Sequence, residues 1–299
     1  MKTCPALSIF SLAARAPRRV RWCSRVAGVL AAMLGLPVPA APSPAAPALV
    51  AATPAALPVV VIYADDNYPP YSFVEHGQLT GIYTLIVQKV IERLPEYQVQ
   101  LVPVPWNRGL LLLEKGQAFA LYPPYSRPAE RPYMKYSEPM LGEQVAVFCN
   151  ADVIARRSLK SWPDDYAGLR IGMNTGFLVG GKQFEDAVQA GRISVDAAHG
   201  SRANLLKLMR GRTDCYLNDR LSIQWELGRM RKEGLLDPTY LRLAETAELS
   251  TEQGYLGYTE LAPALFPFRQ DFIQKFNAAI RDLKRSGEID EAIGHFLGK

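Results

Sequence analysis

Residues 121–131 read Leu-Tyr-Pro-Pro-Tyr-Ser-Arg-Pro-Ala-Glu-Arg. Ala118–Leu121, just ahead, is short and apolar, like the end of a strand. Pro123 and Pro124 then remove backbone donors and stop any sheet or helix. The chain beyond the strand is a stiff loop carrying Tyr122, Tyr125, Ser126, Arg127 and Arg131. Such a loop holds carbonyls and hydroxyls in place at small ordering cost. A guanidinium on it can grip a carboxylate through two parallel hydrogen bonds. The stretch reads as the anion-gripping wall of a small-molecule site. Taken alone, it reads equally as a surface turn with solvated arginines. The pentapeptide Tyr-Pro-Pro-Tyr-Ser occurs at 122–126 and also at 68–72, in both places after an apolar run. Ligands bind at strand ends in open α/β sheets, so two such loops are expected to face one crevice.

Outward from these loops, the pattern alternates. Val59–Tyr63 is a β-branched run of strand length. Ile82, Leu85, Ile86, Val90 and Ile91 have helical spacing, ending before Pro95. Val99–Val104 reads as a strand, and Trp106 opens a helix that Gly116 is placed to end. This makes an open α/β domain with parallel strands. Pro139–Cys149 leaves it through a long extended stretch. A second unit repeats the form, with strands at Leu169–Met173, Ile193–Val195 and Asp214–Leu217, and helices at Gly180–Ala190 and Ala203–Arg210. The last stretch is helical: Phe272, Ile273, Phe276, Ala279, Ile280 and Leu283 line one face, Gly287 ends it, and Asp290–Leu297 forms a short helix.

Composition narrows the function. At 299 residues the chain accommodates two domains with real cores. The net charge of +5 is unevenly placed. Residues 1–57 hold six basic and no acidic residues, which leaves 28 basic against 29 acidic in the rest, a net of about −1. Bulk charge therefore does not support nucleic-acid or anionic-membrane binding. The basic region Arg15–Arg25, the short apolar run Val26–Leu36 and the small residues after it have the layout of a secretory signal peptide, assigned to residues 1–40. Residues 41–57, rich in Ala and Pro, read as a disordered leader. Cys4 and Cys23 would leave with the signal. Cys149 and Cys215 remain, either as one disulfide or as two buried thiols; spacing does not decide. The three histidines are scattered, and no metal-type Cys/His cluster or phosphate loop is present, so no metal or cofactor is expected.

Tyr68-Pro69-Pro70-Tyr71-Ser72-Phe73, Gly77, Gly81-Ile82, Pro105-Trp106, Gly116, Ser126, Arg131 and Tyr136-Ser137-Glu138-Pro139 succeed one another in a telling order. With Gly211-Arg212-Thr213-Asp214, Asp219, Lys284 and Gly287-Glu288-Ile289, they resemble the family 3 extracytoplasmic solute-binding proteins, the polar amino-acid receptors of ABC transporters. The resemblance spans about residues 58–299. It implies the type II periplasmic-binding fold: two open-sheet α/β domains joined by a two-strand hinge. Domain 1 would hold 58–148 and 244–299, and domain 2 would hold 149–243. Carried over residue by residue, it implies that Arg131 pairs with a ligand carboxylate, helped by Ser126. Pro124 would offer a carbonyl, and Asp219 a carboxylate, to a ligand amino group. Asp65 and Tyr68 would contact ligand from the first loop, and Trp106 would form an aromatic wall. Other roles stay open: Asp65 and Asp66 as loop formers, Trp106 as core, Asp219 as a helix cap. The turn Gly176-Phe177-Leu178 lacks the hydroxyl usual in the family.

The expected function is that of a periplasmic, monomeric receptor, not an enzyme, passing a small polar solute to an inner-membrane ABC permease. Two alternatives stand beside it. One is a dehydratase-like enzyme acting on prephenate or arogenate, for which Glu75, Glu138 and Glu143 are the conceivable carboxylates. The other is a sensor component that presents ligand to a membrane partner.

Overall fold

The computed structural model describes residues 56–236 and 243–298. The expected signal peptide and nearly all of the expected leader lie outside the described residues. The chain begins with β1 (Val59–Asp65) and a small sheet of β2 (Asn67–Tyr68), β3 (Ser72–Glu75) and β4 (Gln78–Thr80). Next come α1 (Ile82–Ile91), β5 (Gln98–Val104), α2 (Trp106–Glu114), β6 (Ala120–Tyr122) and β7 (Met134–Tyr136). A second lobe takes β8 (Leu141–Asn150), α3 (Ala151–Arg156), β9 (Arg170–Asn174), α4 (Lys182–Gln189) and β10 (Ser194–Ala198). It continues with α5 (Gly200–Met209), β11 (Cys215–Asp219), α6 (Arg220–Lys232) and β12 (Leu243–Gly254). The chain then returns to the first lobe for β13 (Gly257–Thr259), α7 (Arg269–Ser286) and α8 (Glu288–Phe296).

The first sheet runs β5-β1-β6-β13-β7, with β1 parallel to both β5 and β6. The second runs β10-β9-β11-β8-β12, with β9 parallel to β10 and β11. In each lobe the parallel neighbours of the middle strand, β1 or β9, lie on opposite sides, which opens a crevice beyond its carboxyl end. Those ends carry Asp65 and Asn174.

Strand alternation builds the cores. On β8, Val145, Val147 and Cys149 face a cluster with Ile171, Phe184 and Leu217, while Ala146 and Phe148 face Leu205, Leu208, Tyr216 and Ile223. In the first lobe, the stripe on α7 packs with Ile82, Ile86 and Val90 of α1 against Val60 and Ile62. Gly287 ends α7 at φ 78°, a left-handed cap that glycine adopts without steric cost.

Cys149 and Cys215 stand opposite each other in the antiparallel β8–β11 ladder and are joined by a disulfide. β8 and β12 pair from Leu141↔Gly254 to Asn150↔Leu243, so positions 148 and 244 fall inside these strands. The chain crosses between lobes near 137–141 and 254–257. β12 carries a largely polar, half-exposed sequence and is held by its backbone ladder, which leaves little side-chain signature.

Candidate functional site

The loops after β1, β6 and β9 meet between the lobes around a small cavity. Its lining is Asp65, Tyr68, Trp106, Pro123, Tyr125, Arg127, Arg131, Phe177, Leu178 and Val179. A second small cavity beside it shares Asp65, Trp106 and Phe177 and adds Asn67, Asn174, Thr175, His199 and Gly200. One compartment is thus aromatic and cationic, the other mostly polar.

Arg131 is buried, and its guanidinium lies 5.6 Å from the Trp106 ring. Its Nη2 donates to the Gly176 carbonyl at 3.0 Å, and no Asp or Glu among the described residues pairs with it. Burial pulls its pKa down, as expected for a cation removed from water without a counter-ion. Arg127 differs: it is half-buried, paired with Glu252 at 2.9 Å, and donates to the Leu178 carbonyl at 3.2 Å. Trp106 Nε1 donates to the Gly176 carbonyl at 3.3 Å. Phe177 stands edge-on to Tyr68 and Trp106, with centroids 5.1 and 5.9 Å apart. The 176–178 turn of the second lobe therefore meets the first lobe through backbone carbonyls and one aromatic ring.

Three carboxyl groups sit deep in this region. Asp65 accepts from the Asn67 backbone at 2.9 Å, and burial pushes it up to about 7. Asp219 caps α6 by accepting from Ser222 N at 2.7 Å and accepts from Gln144 N at 3.0 Å, with the Tyr71 phenol facing it. Burial lifts it to about 6. Glu143 accepts from Tyr68, Tyr83 and Tyr125; burial, then the nearby Asp219, raise it to about 8.

Asp65, Tyr68, Trp106 and Arg131 thus come together at one cavity. Three other residues singled out from the sequence do not line it. The Pro124 carbonyl accepts from Tyr255 N at 3.0 Å, and it is Pro123 that faces the cavity. Ser126 lies outside the lining, with its carbonyl accepting from Arg127 Nη1. Asp219 is occupied as a cap. Phe177, Leu178 and Val179 were missed as lining residues, although their turn follows a strand end, the same signal that exposed the other loops. Of the three conceivable enzymatic carboxylates, Glu75 and Glu138 form surface ion pairs with Arg229 and Arg281, and Glu143 lies beneath its phenols.

The family model for "Bacterial extracellular solute-binding proteins, family 3" matches residues 60–299. A search of curated protein sequences returned no match. Among solved structures, the chain is similar to the arginine-, lysine-, histidine-binding protein ArtJ from Geobacillus stearothermophilus, at 12% identity and TM-score 0.61, covering 80% of this chain and 95% of that one. It is similar to a histidine kinase sensor domain with similarity to periplasmic binding proteins, at 15% identity and TM-score 0.63, covering 81% and 97%. It is also similar to the ancestral amino acid-binding protein AncCDT-1, a precursor of cyclohexadienyl dehydratase, at 15% identity and TM-score 0.60, covering 80% and 94%. At these identities the likeness speaks for the fold, which is the type II periplasmic-binding architecture. No helix among the described residues is long and apolar enough to cross a membrane.

Proposed function

The chain belongs to the family 3 bacterial extracellular solute-binding proteins, and from that premise we propose that it captures a small carboxylate-bearing solute, an amino acid first of all, between its lobes and passes it in the periplasm to an ABC permease. The observation that carries this reading is Arg131: a buried guanidinium at the cavity wall, satisfied by one carbonyl and, among the described residues, by no carboxylate. A buried charge without a counter-ion is costly, and a ligand carboxylate relieves that cost. Tyr68, Trp106 and Phe177 offer apolar walls for the ligand body, and Asp65 offers an acceptor for an amino group, whose positive charge would draw its carboxyl into the ionised form.

The test is a thermal-shift series on the full chain with amino acids, polyamines, small carboxylates and prephenate, alongside Arg131→Ala. A solute that binds the folded form raises the melting temperature. Loss of a buried charged partner costs about 2–5 kcal/mol, so Arg131→Ala weakens binding roughly 30-fold or more. Wild-type affinity in that variant overturns the assignment. A second reading is favoured by Asp65, a cavity carboxyl held near neutrality with no cationic side chain bonded to it. It makes the cleft a dehydratase-like active site, and turnover of prephenate by the wild type that Asp65→Asn abolishes would establish it.

A further inference from the structure

Glu143 is fully buried on β8, one of the two strands where the chain passes between lobes. Three phenols from three separate elements of the first lobe converge on it. Tyr83 of α1 donates to Oε1 at 2.5 Å, Tyr125 of the loop after β6 donates to Oε2 at 2.7 Å, and Tyr68 of β2 donates to Oε2. The hydroxyls of Tyr68 and Tyr125 lie 3.3 Å apart. Those two side chains line the cavity, while Tyr83 does not. The other crossing strand is shaped to the same cluster: a Cβ on Gly254 of β12 would stand 1.9 Å from the Tyr83 hydroxyl. Ligand capture through Arg131 gives this cage no task.

We propose that Glu143 is a positioning residue for the cleft, tying the walls Tyr68 and Tyr125 to the hinge strand so that wall geometry and lobe closure change together. What the cleft holds rests on the solute-binding reading; the tie itself does not.

The charge state of Glu143 offers a handle. The titratable groups that face it are Tyr68, Tyr71, Tyr83 and Tyr125 of the first lobe and Asp219 of the second, with no cation among its hydrogen-bond partners. Burial first, then Asp219, raise its carboxyl to about 8, against the opposing pull of the three phenols. Its folded pKa stands above the unfolded value of about 4.3, so its contribution is complete below that value and is lost as pH rises through about 8. Above that point Glu143 is an anion held away from water, and because burial is the largest cause of its shift, the charge is relieved by parting the lobes to hydrate it, which loosens the tie.

The experiment tracks the full chain without added solute, by small-angle scattering from pH 6 to 9.5 and by melting temperature from pH 5 to 9. The wild type is expected to keep one radius of gyration up to about pH 7 and to expand above pH 8, with its melting temperature falling between pH 5 and 8. Glu143→Gln cannot ionise, so its radius stays flat with pH. The gap between its melting temperature and that of the wild type narrows as pH rises. A role limited to packing would keep that gap constant. Tyr83→Phe removes a donor that favours the ionised acid, so the expansion moves to higher pH. An identical pH response in wild type and Glu143→Gln, or a wild-type radius unchanged to pH 9.5, overturns the proposal. Should Glu143→Gln fail to fold, the Tyr83→Phe shift decides alone: an unshifted response overturns the tie. No solute enters these measurements, so their outcome is separate from that of the binding screen.

Discussion

The two copies of Tyr-Pro-Pro-Tyr-Ser have identical side chains and different work. In 68–72 every residue is fixed from several sides. Tyr68 reaches Glu143, and Tyr71 reaches Asp219. The Pro69 carbonyl accepts from Ser222 Oγ at 2.7 Å, and the Pro70 and Tyr71 carbonyls receive the first backbone N–H groups of α1. In 122–126, Tyr122 lies under α1 against Thr84 at 3.1 Å, Tyr125 reaches Glu143, and the loop then opens toward the cavity with Pro123, Arg127 and Arg131. Both copies lend a tyrosine to the cleft and to Glu143, but the first also reaches α6 and starts α1, while the second runs on into the cationic wall. A motif therefore states which groups are available, and the strands and helices around it decide what they bind.

The comparison breaks most easily at the glycines packed against each copy. Gly81 has φ 114° and ψ 169°, a region essentially reserved for glycine, and its Cβ would meet the Tyr71 carbonyl oxygen at 2.4 Å. Gly257 faces the other copy, and its Cβ would meet Met134 Sδ at 2.5 Å and Pro124 Cγ at 2.7 Å. Backbone cannot yield as a methionine side chain can. Gly81→Ala is expected to cost about 3 kcal/mol or more and Gly257→Ala about 1–2 kcal/mol. Denaturant midpoints measure both, and equal losses would mean that the first copy is no more rigid than the second.

A middle-sized effect separates the inner tyrosines. Tyr71 faces the buried Asp219 carboxyl and lowers its pKa, whereas Tyr122 meets a threonine hydroxyl that already donates to the Thr80 carbonyl. Tyr71→Phe should cost about 1.5–3 kcal/mol and Tyr122→Phe about 1 kcal/mol. The phenol of Tyr71 lowers the Asp219 carboxyl, so its removal raises Asp219 further above about 6. The Asp219 contribution, complete below its unfolded pKa and lost through the folded one, then persists to higher pH in Tyr71→Phe. Melting temperature against pH shows this, and Tyr122→Phe keeps the wild-type profile.

Much of the fold was legible in the sequence because burial writes periodicity. Val59–Tyr63, the stripe on α7 and the Gly287 stop all stand where pattern and steric rules put them. β12 is not legible, because it is held by its ladder with β8; α6 is legible only as the helix that Asp219 could cap, since charges such as Arg220 and Arg229 surround its few buried residues. At the site, Arg131 was legible from its loop, while Asp65, Tyr68 and Trp106 came only through the family resemblance; all four line the cavity. Phe177 was not, because an apolar side chain on a turn looks like core until the facing lobe is in place. Asp219 shows the opposite limit: an aspartate before a helix fits both a ligand reading and a cap, and the bonds from Ser222 and Gln144 establish the cap.

The smallest contrast is between the closing serines, and it is the cleanest. Ser72 is fully buried on β3, and its hydroxyl donates to the Asp65 carbonyl at 2.6 Å, fastening the copy to the end of β1. Ser126 is half-exposed at the start of an open loop, with its side chain outside the cavity lining. Ser72→Ala removes a buried hydrogen bond to the Asp65 carbonyl, at a cost of about 1 kcal/mol or somewhat more. Ser126→Ala stays within about 0.5 kcal/mol of the wild type. Chemical unfolding of the two variants in parallel makes the comparison, with residue, substitution and local sequence held constant. Equal costs would show that the pentapeptide carries its own stability, and the division between a fastened copy and an open one would fall; unequal costs place the difference in Asp65 and β3, where the copy in question is embedded.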